Sequence, residues 1–193
     1  MAVPLMKKKS FLRSGEPKIA SYDWYDFASN IGYKNFYATG GYDDAAKSYF
    51  LSPVLISSDE ENCKLTIGAT TTELNFDITF NKPVTIAAAD AYITFFLYHS
   101  GILNSYLQAI LYHVAADTTE TSIGGDTSNS LVTAGADTYY KCFKFTLTKK
   151  HFAKGEKLRL SLLYTGGGNF CTLFYDAETS QELSITVPFI VNL

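Results

Sequence analysis

At 193 residues the chain is long enough for one substantial hydrophobic core and short for two. Charged residues make up only 18% and the net charge is −3, which excludes the large basic field that would draw in nucleic acid nonspecifically. Hydrophobic residues reach 47%, and 14 Tyr with 14 Phe against a single Trp suit pleated, half-buried surfaces, so strand is expected nearly throughout.

Residues 1–30 have no clean period. Lys7, Lys8 and Lys9 are mixed with Pro4, Gly15 and Pro17, the composition of an extended arm. Ser10, Arg13, Ser14, Gly15 and Glu16 stand where a signal peptide would carry its apolar core, so synthesis in the cytoplasm is expected. Tyr22-Asp23-Trp24-Tyr25-Asp26-Phe27 is aromatic, and exposure of so many rings invites association. The arm therefore either folds back across its own domain or docks on a neighbouring subunit. Its candidate partner-binding residues are Lys7, Lys8, Lys9, Tyr22, Trp24, Tyr25 and Phe27.

Residues 31–193 read as a single β domain. Asn35 to Ala38 is a short strand, Thr39 to Asp44 a loop, and Tyr49 to Ser57 a second strand that Pro53 confines to an edge or bulged position. Lys64 to Thr72 can hold a short strand. Leu74, Phe76, Ile78 and Phe80 alternate with polar residues and share one face. Tyr92 to Tyr98 is apolar on both faces, as a covered central strand is, and Tyr106 to Val114 is similar, with a helix as its rival; Gly101 to Asn104 suits a hairpin between them. Ala115 to Asp137 is a long polar excursion holding at most one strand, around Thr121 to Ile123.

The stretch from Tyr139 to Tyr164 organises the rest. Phe143, Phe145 and Leu147 alternate with polar residues, and after a polar link the pattern resumes with Leu158, Leu160 and Leu162. Phe152 is the one large apolar residue in that link and is expected to plug one end of the core. Leu183, Ile185 and Val187 form a last alternating strand. About eight to ten strands with regular turn signals and no convincing long helix predict an all-β fold, a two-sheet antiparallel β-sandwich of jelly-roll type with an extended N-terminal arm.

Chemistry is harder to place. His99 and His113 lie at the ends of consecutive predicted strands and could approach each other, though ordinary boundary positions explain them; His151 sits in a solvated turn. Asp43, Asp44, Asp59, Glu60, Glu61, Asp117, Asp126 and Asp176 all fall in predicted turns, where acids serve the backbone, and no pair is singled out as a glycosidase dyad. Calcium among Asp117 to Asp126 lacks EF-hand spacing, and Gly166-Gly167-Gly168 lacks the Lys and helix of a phosphate loop. No catalytic, cofactor or metal residue is assigned, and the chain is expected not to be an enzyme. Cys63, Cys142 and Cys171 are odd in number without Cys-x-x-Cys spacing, so reduced thiols are expected, with Cys142 and Cys171 in or near the core. Apolar runs such as Ile93 to Tyr98 fall far short of the roughly 20 residues of a membrane-spanning helix, so no membrane partner is expected.

An arm, then Ala38-Thr39-Gly40-Gly41-Tyr42 and Tyr49-Phe50-Leu51-Ser52 ahead of a Ser/Thr-rich domain, resembles the small jelly-roll structural proteins of tailed-virus particles. That resemblance implies a virion component made in the host cytoplasm, a capsid decoration or cement protein that binds the major capsid protein or other virion subunits and forms homo-oligomers without contacting nucleic acid directly. A head-fibre or tail component is the nearest alternative. A carbohydrate-binding β-sandwich is another, with Trp24, Tyr42, Tyr139 and Tyr140 as its candidate aromatics.

Overall fold

The computed structural model describes residues 30–45, 48–54, 64–67, 72–99, 106–125, 129–130, 137–165, 171–174 and 183–191. Among them the regular structure is entirely β: β1 (Ile31–Asp43), β2 (Ser48–Ser52), β3 (Lys64–Ile67), β4 (Thr72–Thr79), β5 (Val84–Ile86), β6 (Asp90–His99), β7 (Tyr106–Val114), β8 (Glu120–Gly125), β9 (Asn129–Ser130), β10 (Asp137–Thr146), β11 (Lys150–Phe152), β12 (Lys157–Thr165), β13 (Cys171–Phe174) and β14 (Ser184–Ile190). Tyr106 to Val114 is a strand, so the helical rival is excluded. Among the described residues no helix is long and apolar enough to cross a membrane.

Hydrogen bonds join the strands in one path, β3-β13-β6-β14-β1-β2-β4-β12-β7-β8, with β10 on the other edge of β6. The path nearly closes on itself: just past β10, the Thr148 amide donates to the Ile123 carbonyl of β8 at 2.7 Å. The expected division into two sheets is therefore not drawn by the ladders, because β1 carries the bonding onward from β14 to β2. Of Thr39 to Asp44, expected as a loop, Thr39 to Asp43 continue β1 through a register shift between Ala38 and Tyr42, and Asp44 enters the turn. β2 stops at Ser52, ahead of Pro53, rather than at Ser57.

Period-two alternation sets the core. Phe36, Phe76, Phe95, Leu97, Leu111, Leu160 and Ile185 are buried while their sequence neighbours point away from the interior. Phe95 and Phe143 meet edge to face at 5.1 Å. At one end Phe80 meets Phe36, Phe152 and Phe189 at 6.4, 5.2 and 6.0 Å. Phe152, fully buried, closes that end as its isolation in a polar link predicts. The link returns at Gly155, whose φ of +93° is a backbone state that favours glycine, and the Gly155 amide donates to the Phe80 carbonyl at 2.8 Å.

One expected hairpin is corrected, and the two organising strands prove not to be partners. β10 and β12 do not lie side by side: β10 pairs with β6, and β12 sits between β4 and β7. Likewise β6 and β7 form no hairpin, each having other partners. In both cases the buried apolar residues of the two strands belong to one core, so they are joined by packing rather than by a shared ladder. The polar excursion holds β9 as well as β8. Cys142, expected near the core, is a free and exposed thiol, because the buried positions of β10 are Phe143 and Phe145.

Truncating the plug tests this arrangement. Phe152→Ala should cost about 3–5 kcal/mol in urea unfolding, since it empties a site closed on all sides. Phe50→Ala, at a position 44% exposed, should stay under about 1 kcal/mol. Equal losses for the two would contradict the packing described.

Candidate functional site

The segments that carry the virion resemblance form one object, the β1–β2 hairpin. Ala38 pairs with Leu51, both buried, and Tyr42 pairs with Tyr49 beyond the register shift. At Gly41, within the shift, a Cβ would stand 2.8 Å from the Phe50 ring, which would have to move to admit a side chain. On the other side the Tyr42 ring packs on Tyr49 at 4.8 Å, and Tyr49 packs on core Phe76 at 5.4 Å. Burial, and then the neighbouring Tyr42, push the Tyr49 hydroxyl above its ordinary pKa. Tyr42, Phe50 and Val54 are 46%, 44% and 64% exposed. Single exposed apolar side chains are ordinary, but several on one hairpin mark a candidate contact surface.

Behind the hairpin lies a saturated charge network. Asp77 on β4 is directly opposite Arg159 on β12, and Arg159 donates to both carboxylate oxygens at 2.7 Å. Ser48 Oγ at the foot of β2 donates to the same carboxylate at 3.0 Å, Lys157 Nζ stands 3.6 Å away, and Arg159 also reaches Glu120 at 2.5 Å. The Asp77 contact holds the Arg159 guanidinium above its ordinary pKa. Lys157, Arg159 and Glu120 line a cavity of about 290 Å³ with Ala45, Val114 and Thr118. Its charged groups are engaged with Asp77 or with one another, and through Ser48 the network ties the turn end of the hairpin to the sheet.

The histidines do not converge. His99 closes β6 opposite Asp137 and Cys171, while His113 faces the ring-closed end of the core, 4.8 Å from Phe152. His113 Nε2 lies 2.8 Å from Glu156 Oε2, and since an ionised carboxylate only accepts, Nε2 carries the proton of that bond. His113 Nδ1 is buried without a hydrogen-bond partner. His151 Nδ1 pairs with Thr85 Oγ1 at 3.0 Å. Asp43 and Asp117 accept the amides of Ala45 and Thr119, each at 3.0 Å, the backbone role expected of turn acids. Among the described residues no group of three or more His, Cys, Asp or Glu could hold a metal ion.

Lys7, Lys8, Lys9, Tyr22, Trp24, Tyr25 and Phe27 lie outside the described residues, as does the side chain of Tyr139. The sugar-binding candidates Tyr42 and Tyr140 stand on different strands, β1 and β10, with β14 and β6 between them, so they do not form one platform. Sequence reasoning missed Asp77 and Arg159, although opposite charges on the polar faces of two alternating strands were a usable signal. It also missed the outward-facing Phe96 and Phe174.

No protein-family model matches the chain, and no curated protein matches it. Solved structures share its fold. A CocE/NonD family hydrolase from Staphylococcus aureus superposes with a TM-score of 0.59 at 12% identity, over 94% of this chain and 40% of the hydrolase. An aminopeptidase from a marine sediment Thaumarchaeota archaeon gives 0.58 at 8% identity, over 84% of this chain and 37% of that one. The chain thus spans about two fifths of the enzymes it resembles. Overlaps with carbohydrate-binding modules and with an infectious bursal disease virus structure stay at TM-scores of 0.34 or below and carry no argument. The expectation that the chain is not an enzyme is overturned by the hydrolase and aminopeptidase neighbours. It rested on finding no convergent titratable groups within one domain, whereas this fold recurs as part of longer enzyme chains. At these identities the likeness itself shows the fold alone.

Two substitutions test the polar framework. Arg159→Met leaves Asp77 buried beside only Ser48 and Lys157, and should cost about 3 kcal/mol in urea unfolding; a loss below about 1 kcal/mol would show that water already reaches the pair. The Glu156 carboxyl is held below its ordinary range first by the His113 hydrogen bond and next by the Ala153 amide. A depressed carboxylate stabilises the fold above its unfolded-state value, and that stability is lost as pH falls through the folded value. Glu156→Gln should therefore show a shallower fall of melting temperature on the acid side than wild type, and an unchanged slope would contradict this coupling.

Proposed function

We propose that the chain is a structural protein of a virus particle, of the capsid-decoration or cement type, which attaches to the major capsid protein or other virion subunits and to copies of itself. The fold proposed to present it is a jelly roll. On this reading the continuous ladder is taken as two facing halves, β1, β14, β6 and β10 in one and β4, β12, β7 and β8 in the other, with β2 bridging between them. The chain crosses from sheet to sheet between β4 and β6, β6 and β7, β8 and β10, and β10 and β12, the alternation of that architecture.

The observation that carries this reading is the β1–β2 hairpin. The residues that resemble those of particle proteins form a hairpin with Tyr42 on one face, Phe50 on the other and Val54 past its open end, held at its turn end by Tyr49 on Phe76 and by Ser48 on Asp77. A particle is held together by many repeated, modest interfaces, and a braced hairpin with exposed rings on both faces suits such a contact. The N-terminal segment, with Lys7, Lys8 and Lys9 followed by Tyr22, Trp24, Tyr25 and Phe27, is proposed as the second attachment element. Large aromatics at such contacts are the usual hot spots.

The test is attachment of the full chain to purified particles that lack it. Phe50→Ser and Trp24→Ala should each weaken attachment roughly thirtyfold, the effect of a hot spot of about 2 kcal/mol, while leaving the melting temperature close to wild type. Wild-type attachment by both variants would remove the assembly role. Absence of the chain from the mass spectrum of purified virions would remove its location.

A further inference from the structure

The outer face of the sheet holding β10, β6, β13 and β14 carries a second surface, independent of the hairpin. Tyr140 lies directly opposite Phe96, and Phe96 directly opposite Phe174, so three rings from three adjacent strands stand in one row. Ring centroids are 4.8 Å apart for Tyr140 and Phe96 and 5.2 Å apart for Phe96 and Phe174, with the planes tilted by 53° and 54°. These rings do not serve the core: Phe95, Leu97, Phe143 and Leu173 fill the inward positions of the same strands. Tyr140 is 58% exposed, and Phe96 and Phe174 are half-buried.

Phe174 lies in turn directly opposite Lys64 of β3, so a lysine position extends the row, while the positions beside Phe96 along β6 and β14 are polar. The Thr94 and Ser184 hydroxyls bond to each other at 2.8 Å, and Thr186 Oγ1 donates to Asn35 Oδ1 at 2.8 Å. Further along, Lys144 and Asp90 neutralise each other at 2.8 Å. A row of rings beside hydroxyl and amide groups matches a polyhydroxylated ligand. The C–H faces of sugar rings pack on aromatic rings, and sugar hydroxyls both donate to and accept from such side chains.

We infer that this face binds a neutral oligosaccharide chain, with Tyr140, Phe96 and Phe174 as the stacking platform and Thr94, Ser184 and Asn35 as the hydrogen-bonding groups. Calorimetric titration of the full chain with cellohexaose, chitohexaose and laminarihexaose, and with dextran sulfate as a charged comparison, tests it. At least one neutral sugar should bind, and Tyr140→Ala should weaken that binding about tenfold or more. Thr94→Val, which keeps the shape and removes one hydroxyl, should weaken the same sugar, while Tyr42→Ala on the hairpin should leave it unchanged. Binding of none of the three neutral sugars, binding of dextran sulfate alone, or an affinity unmoved by Tyr140→Ala would overturn the inference. Since no variant in this test other than Tyr42→Ala touches the hairpin, sugar binding and particle attachment fail separately.

Discussion

The structure depends on one strand having two sets of partners. β1 bonds to β14 from Ile31 to Tyr37 and to β2 from Tyr37 to Asp43, so Tyr37 is the point at which the ladder is handed across. The buried amides and carbonyls of so long a strand must be paired along its whole length. Ala38 shows how tightly this is met: its amide donates to the Leu183 carbonyl at 2.9 Å while Leu51 stands opposite on β2. Without this shared strand, the apolar faces would still attract each other, but the backbone joint between β14 and β2 would be lost.

Sharing the strand has a local consequence. Past Ala38 the chain can no longer keep to a flat ladder, and Gly40-Gly41 take up the irregularity; at Gly41 the absent Cβ is what lets the Phe50 ring lie down. The same irregularity lifts Tyr42 and Phe50 out of the core. The hairpin is nonetheless held firmly, since Tyr49 reaches back to Phe76 and Ser48 to the Asp77–Arg159 pair. Exposed rings on a braced support lose little further freedom on binding, which is the condition under which modest interfaces become specific.

Single strands were legible in the sequence and their pairing was not. Alternation marks β4, β10, β12 and β14 because each must bury one face, and Phe152 stands out as the sole large apolar residue of a polar link. Partners are chosen elsewhere: β10 bonds to β6, far back in the chain, because the core is filled by faces meeting across it, and alternation carries no register. The hairpin's residues were visible as a likeness, yet Thr39 to Asp44 read as a loop because two glycines hide a bulged strand. Phe96 read as one ring of a strand covered on both faces, and Tyr140 as a candidate sugar-binding aromatic with other partners. Only the register shows that they meet on the outer face.

The central claim, that the β1–β2 hairpin is the attaching element, is tested most directly by a hydrogen-exchange footprint of the chain on particles. The account predicts added amide protection at residues 38–45 and 48–52, with β4 and β12 unchanged. Attachment with no change at the hairpin, or with protection confined to the far sheet, would contradict it.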